Sequence, residues 1–234
     1  MKPKQILGLL LLAILALPAA VLPWLAHNMM ALQGTPFSSA ALLKLSLATQ
    51  TTLIAGLFIG ILSSILSFLV GVCCAYQPRL LALKRLLHGI PVSLMLILFL
   101  SSWHTVSNTF LVTSISLCTW IWTSRRFSLS IIQALESDRI SFARLAGHSE
   151  FTIFMQQIFP FLHAEILRNF LLQLSAGTLL FTTLCALSAA PGTTAAYSLG
   201  TLIHQGLTGI SPLYLPAIII SALFALALNL LEYE

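Results

Sequence analysis

Residues 52–76, "TLIAGLFIGILSSILSFLVGVCCAY", run for 25 positions without one charged side chain. About 20 apolar residues in a helix match the hydrocarbon thickness of a bilayer, so this stretch reads as a membrane span. Comparable runs lie at about 6–26, 87–103, 106–123, 167–188 and 213–231, which makes six. Composition agrees: 58% of the 234 residues are hydrophobic, 7% are charged and the mean hydropathy is +0.98, where an average soluble domain is about a quarter charged. Only helices and closed barrels satisfy their backbone in lipid, and these runs lack the period-two alternation of barrel strands. The sequence therefore predicts an all-α, polytopic transmembrane bundle, with residues 1–234 forming a single domain.

Charge is sparse and its placement is informative. The net charge is +5, but the basic residues are scattered in small groups and form no stripe or aromatic-interleaved patch, which argues against nucleic-acid binding. Short cytoplasmic loops collect Lys and Arg. With the N-terminus inside, Lys2, Lys4, Arg79, Lys84, Arg85, Arg125, Arg126, Arg139, Arg144 and Arg168 are all internal and only Lys44 is external. Both termini are thus expected on the cytoplasmic side. Lys2, Lys4 and the small residues Ala19 and Ala20 have features of a signal peptide, but the apolar run continues to Ala26, so a retained first helix is expected.

Three connections stand out. Residues 27–50 lie outside, with a short amphipathic helix from about Ser38 that Ser38 or Ser39 would N-cap. Residues 189–212 are outside, uncharged and rich in Gly, Ser and Thr. The longest inner segment is 124–166. There "SLSIIQALESDRISFARLA" (128–146) continues the fourth span with good helix formers, Gly147 falls where a left-handed residue ends a helix, and Ser149 can N-cap a second one. Phe151, Phe154 and Ile158 share a face of that second helix, and Pro160 precedes the next span. Such a helix either lies on the membrane surface or offers apolar anchors to a groove in a cytoplasmic partner.

The side chains do not suggest catalysis. H-E-x-x-H, G-x-S-x-G and P-loop patterns are missing, as are paired carboxylates inside a span. Cys73, Cys74, Cys118 and Cys185 sit in apolar runs without C-x-x-C spacing and read as small hydrophobes. His27, His104 and His204 fall near the outer face, with Met29 and Met30 beside the first, but no His pair has helical spacing, so no metal site is expected. The spans hold essentially no ionisable residue away from their ends, whereas ion-coupled carriers keep buried relays. A secondary carrier or a membrane-integral enzyme is therefore the weaker reading.

The 124–166 segment resembles the cytoplasmic "EAA" loop of ABC importer permeases on Ser141, Phe142, Ala143, Gly147, Gln157, Ile158, Phe159 and Pro160, with Ser141 at the acidic position. Further stretches resemble the second permease subunit of the peptide/nickel branch in the same order: "QGTPFSSAALLKL" (33–45), "KRLLHGIP" (84–91), "ALSAAPGTTAAYSLGTLIHQG" (186–206) and "LALNLLEYE" (226–234). The resemblance implies a bacterial inner-membrane permease subunit of type I importer fold. It would work with a second permease subunit, two ATPase subunits and an extracytoplasmic solute-binding protein.

The solute implied is a small peptide or a chelated metal such as nickel. ATP would be hydrolysed by the partner subunits, and this chain would bind no cofactor. The coupling loop would comprise Ser141, Phe142, Ala143, Arg144, Gly147, His148, Ser149, Glu150, Phe151, Phe154 and Pro160. Uncharged polar residues of the second and fifth spans, Ser63, Ser67, Gln173, Ser175 and Thr178, are candidates either to line the path or to pack helices together.

Overall fold

The structure is a computed structural model that describes residues 5–14, 39–77, 91–92, 94–96, 107–188, 198–209 and 213–232. The described elements are all helical: α1 (Gln5–Ile14), α2 (Ser39–Tyr76), α3 (Asn108–Leu135), α4 (Asp138–Leu145), α5 (Glu150–Ile153), a π-helical segment (Phe154–Ile158), α6 (Phe159–Ser188), α7 (Leu199–Leu207) and α8 (Tyr214–Glu232). Leu43–Tyr76, Glu150–Leu187 and Tyr214–Leu231 are long and apolar enough to cross a membrane. Most of the runs expected at 6–26 and 87–103 lies outside the described residues.

Several helix boundaries differ from the expectation. The amphipathic helix expected outside and the second span are one helix, α2, of 38 residues, about 57 Å at 1.5 Å per residue. Ser38 itself lies outside the described residues. No Gly or Pro interrupts Ser39 to Ala55, and the polar residues there stay helical because Ser46, Thr49, Thr51 and Thr52 each donate their hydroxyl to a carbonyl three or four residues back.

The fourth span likewise extends unbroken to Leu135. What read as one continuing helix then breaks at Glu136–Ser137, where Ser137 is extended (φ −72°, ψ 144°) and starts α4 with Asp138 in its first turn. Ser137 Oγ makes no capping bond to α4 but donates to Ala134 O at 2.7 Å, closing the end of α3, while Asp138 places a negative charge in the first turn of α4.

Nor is the second inner helix separate from the fifth span, because α5, the π segment and α6 form one rod from Glu150 to Ser188. In the widened turn Phe159 N–H donates to Phe154 O, five residues back. That wider spacing accommodates Pro160, whose ring would meet the carbonyl of residue 156 in a regular α-turn.

The bundle is built around α2, which presents two ridges of small residues. Ser63, Ser67 and Gly71 face α3: Ser63 bonds Thr119 at 2.9 Å, Ser67 bonds Thr123, and a Cβ on Gly71 would sit 2.6 Å from Phe127 Cβ. Gly56 and Gly60 face α6, meeting Thr178 and then Phe170 and Leu174. The pairings ascend together along α2 and α3 but in opposite senses along α2 and α6, so the first pair is parallel and the second antiparallel. One-turn spacing of small residues lets backbones approach closely, which drives helix association where lipid removes the hydrophobic incentive.

Ala55, Ile59, Leu96, Ile115, Phe181 and Leu184 make the core between these helices. Leu174, Phe224 and Leu228 join α6 to α8, and Gly8 of α1 lies against Ala227 and Leu231. Ile54, Leu57, Phe58, Ile61, Ile65 and Leu69 of α2 point out of the bundle, as a lipid- or subunit-facing surface must.

Candidate functional site

At one end of the bundle α4 and α5 form a helical hairpin around Gly147. Gly147 has φ +83°; its N–H bonds Arg144 O at 3.0 Å and His148 N–H bonds Ala143 O at 3.2 Å. This is a Schellman closure of α4, which needs the left-handed conformation that glycine adopts freely. Ser149 then caps α5: its Oγ accepts from Thr152 N–H at 3.2 Å and shares a hydrogen bond with the Thr152 hydroxyl at 2.8 Å.

Arg144 and Glu150 clamp the two sides with a forked pair, Nε–Oε1 at 2.7 Å and Nη2–Oε2 at 3.2 Å. Both are about half exposed, so the pair fixes geometry more than it stabilises. The Glu150 hydrogen bond raises the Arg144 pKa, and the guanidinium stays charged throughout the physiological range. Tyr76, at the end of α2, lies within the electrostatic reach of both charges.

The hairpin is two-faced. Ile140, Ala143, Ile153, Ile158 and Leu162 are buried, with Phe68, Val72, Leu135 and Phe154 packed on them. Phe68 also stacks edge-on to Phe127 and Phe159, at 5.7 and 6.3 Å between centroids. On the other face Phe142 is 70% exposed, Leu145 84% and Phe151 69%.

The expectation that Phe151, Phe154 and Ile158 share one face is therefore corrected. Phe154 packs on the buried cluster and Ile158 lies within it, while Phe151 stays outside. Ser141, Arg144, His148, Glu150 and Pro160 are exposed. Leu145 and Met155, also exposed, were missed, although Phe142 and Leu145 already had i, i+3 spacing.

Ser63, Ser67, Gln173, Ser175 and Thr178 are all buried within the bundle. Gln173 Nε2 donates to Thr119 O at 3.2 Å and to Thr123 Oγ1 at 2.6 Å. With the Ser63–Thr119 and Ser67–Thr123 bonds this makes a polar clasp joining α2, α3 and α6. Thr178 donates to Ser175 O at 2.9 Å and borders a void of about 10 Å³ with Thr49, Thr52 and Thr182, room for one water. One further buried amide escaped the sequence reading: Asn169 is 2% exposed, and neither its Oδ1 nor its Nδ2 has a hydrogen-bond partner.

At the opposite end α7 is wedged into the bundle. Ser198 and Thr201 form a capping box, and Leu199 N–H donates to Thr52 Oγ1 at 3.1 Å. His204 Nδ1 pairs with Ala186 O at 2.9 Å. Among the described residues no group of three His, Cys, Asp or Glu could hold a metal; His27, Met29, Met30 and His104 lie outside them.

These features define a multi-pass, all-α membrane protein whose helices are joined by small and hydroxyl residues and which bears an exposed helical hairpin at one end. The family model for the inner membrane component of binding-protein-dependent transport systems matches residues 79–233, and the chain belongs to that family. It is thus a permease of an ABC importer, a transport component that works with ATPase and membrane partners. No curated protein matches the chain.

Proposed function

We propose that the α4–α5 hairpin is the cytoplasmic docking element of this permease and that it seats in a groove on an ATPase subunit. The observation that carries this is the bare apolar tip of Phe142, Leu145 and Phe151, held on a turn fixed by the Gly147 closure and the Arg144–Glu150 clamp. A helix lying on lipid would gain nothing from a rigid turn, whereas a docking element loses affinity whenever its anchors wander.

The hairpin then transmits ATPase closure as rigid-body rotation of the bundle, and the permease pair alternates between outward- and inward-open states. Both termini are cytoplasmic, as the placement of Lys and Arg favours. The remaining members are a second permease subunit, a second ATPase and an extracytoplasmic solute-binding protein. The chain itself binds no cofactor, and ATP is hydrolysed by the partners.

The solute is a small peptide or a chelated metal such as nickel, a reading supported by the resemblance of 33–45, 84–91 and 186–206 to the peptide/nickel branch. The uncharged 189–212 segment suits it, since a bare divalent ion would lose its hydration without ligands. The clasp residues already bond within the bundle, so Ser63, Ser67, Gln173, Ser175 and Thr178 line a path only in a state where the bundle opens. Copurification of an ATPase with the tagged chain, followed by competition uptake with peptides, nickel, cobalt and metallophores, tests both levels. A chain that retains no ATPase, with uptake following an ion gradient, would instead favour a secondary carrier.

A further inference from the structure

We infer that the crevice between the end of α3, α4 and the start of α6 binds the headgroup of a membrane lipid that carries both a phosphate and a primary ammonium. This rests on the docking reading for the leaflet alone, since that reading puts the hairpin end in the cytoplasm. The crevice has a volume of about 280 Å³, about nine times what one water takes in the liquid. Gln133 and Ser137 wall it from the end of α3, Arg139 and Ile140 from α4, and Gln157 and Phe161 from the rod.

Its depth suits a headgroup. Phe161 stands six residues before the apolar run 167–188, about 9 Å along the helix axis, at the outer edge of the polar layer that flanks the hydrocarbon. The ring is 66% exposed and leaves apolar surface at the rim for the glycerol and the first methylenes of a chain.

The wall offers groups of both signs. Arg139 is exposed and makes no ion pair among the described residues. It lies in the first turn of α4, where the leading amides have no intrahelical acceptor and the helix end is partly positive. A guanidinium beside such amides suits a phosphate. Gln157 presents the opposite need: its Oε1 is buried without a hydrogen-bond partner, which is costly until a donor reaches it. A primary ammonium is such a donor. Glu136 and Asp138 are exposed next to the wall residues Ser137 and Arg139, so a zwitterion is favoured over a headgroup of net negative charge.

The test uses the permease copurified with its partner subunits, delipidated in detergent, with lipid retention read on the permease by native mass spectrometry. Dioleoyl phosphatidylethanolamine should be retained about tenfold better than dioleoyl phosphatidylcholine, whose nitrogen has no hydrogen to donate, as for one charge-assisted hydrogen bond. Gln157→Met, which keeps length and removes the acceptor, should erase that preference and leave the choline lipid unchanged. Arg139→Gln should weaken both lipids about tenfold, and Arg139→Lys less. Equal retention of the two lipids by the native chain, a preference that survives Gln157→Met, or retention untouched by Arg139→Gln overturns the inference. Stronger retention of phosphatidylglycerol than of the ethanolamine lipid also overturns it. Soluble glycerophosphoethanolamine should not displace the lipid; displacement would give the crevice a soluble phosphate ester as ligand and overturn the lipid source. A native chain that retains no ATPase removes the docking reading and leaves the lipid result standing, because retention is read on the permease itself.

Discussion

Truncating the hairpin tip should separate docking from folding. Phe142 is 70% exposed and Phe151 69%, so of about 200 Å² on a phenylalanine roughly 140 Å² is available to a partner. At about 25 cal/mol per Å² full burial of one ring is worth up to about 3.5 kcal/mol. Ordering and desolvation reduce what appears as affinity, to about 1–3 kcal/mol for one anchor, a rise in Kd of about 5- to 150-fold. Neither ring belongs to the buried face, so the folded bundle should lose no more than about 0.5 kcal/mol from either change.

Phe142→Ala and Phe151→Ala should therefore insert and unfold like the native chain, while the Kd for the ATPase, read by titration in nanodiscs, rises within that range and uptake falls with it. Phe151→Leu, which keeps apolar area, should lie between. An unchanged Kd in both alanine variants would refute the docking assignment. A drop in thermal stability of several kcal/mol would show that the rings support the hairpin itself.

Further expectations follow from the same geometry. Gly147→Val has open space for its side chain, so its penalty is left-handed strain of about 1–2 kcal/mol, seen as weakened ATPase retention with normal insertion; wild-type retention would show that the turn angle is irrelevant. A methyl on Gly56 would lie 2.0 Å from Thr178 Cγ2, so Gly56→Ala should destabilise the bundle by about 1–3 kcal/mol, and Thr178→Ser, which removes that carbon, should restore it in detergent unfolding. Cysteine at His148 should react with a membrane-impermeant maleimide only after permeabilisation and cysteine at Thr208 in intact cells; the reverse pattern would invert the topology.

Much of the fold was legible because lipid makes apolar length informative: the run 213–231 needs little more than counting, and α8 occupies Tyr214–Glu232. The hairpin closure was legible too, because Gly147 and Ser149 carry their signals locally. What the sequence did not reveal depends on neighbours. Thr49 and Thr51 fall outside the span read at 52–76 until their hydroxyls are seen to bond inside α2. The π segment at Phe154–Ile158 is announced by no periodicity. Ser67 and Gln173 lie 106 residues apart, and only tertiary packing shows that both engage Thr123.

The two ridges on α2 impose an order on how the protein is made. Ser63, Ser67 and Gly71 find their partners in α3 as soon as residues up to Phe127 have left the ribosome. Gly56 and Gly60 must wait for α6 and residues as late as Thr178. Until then their notches face lipid, and the half-built chain displays a groove that any passing small-residue helix could enter. Early pairing of α2 with α3 covers one flank of the nascent protein, while the Gly56 and Gly60 flank stays bare until α6 arrives and closes it.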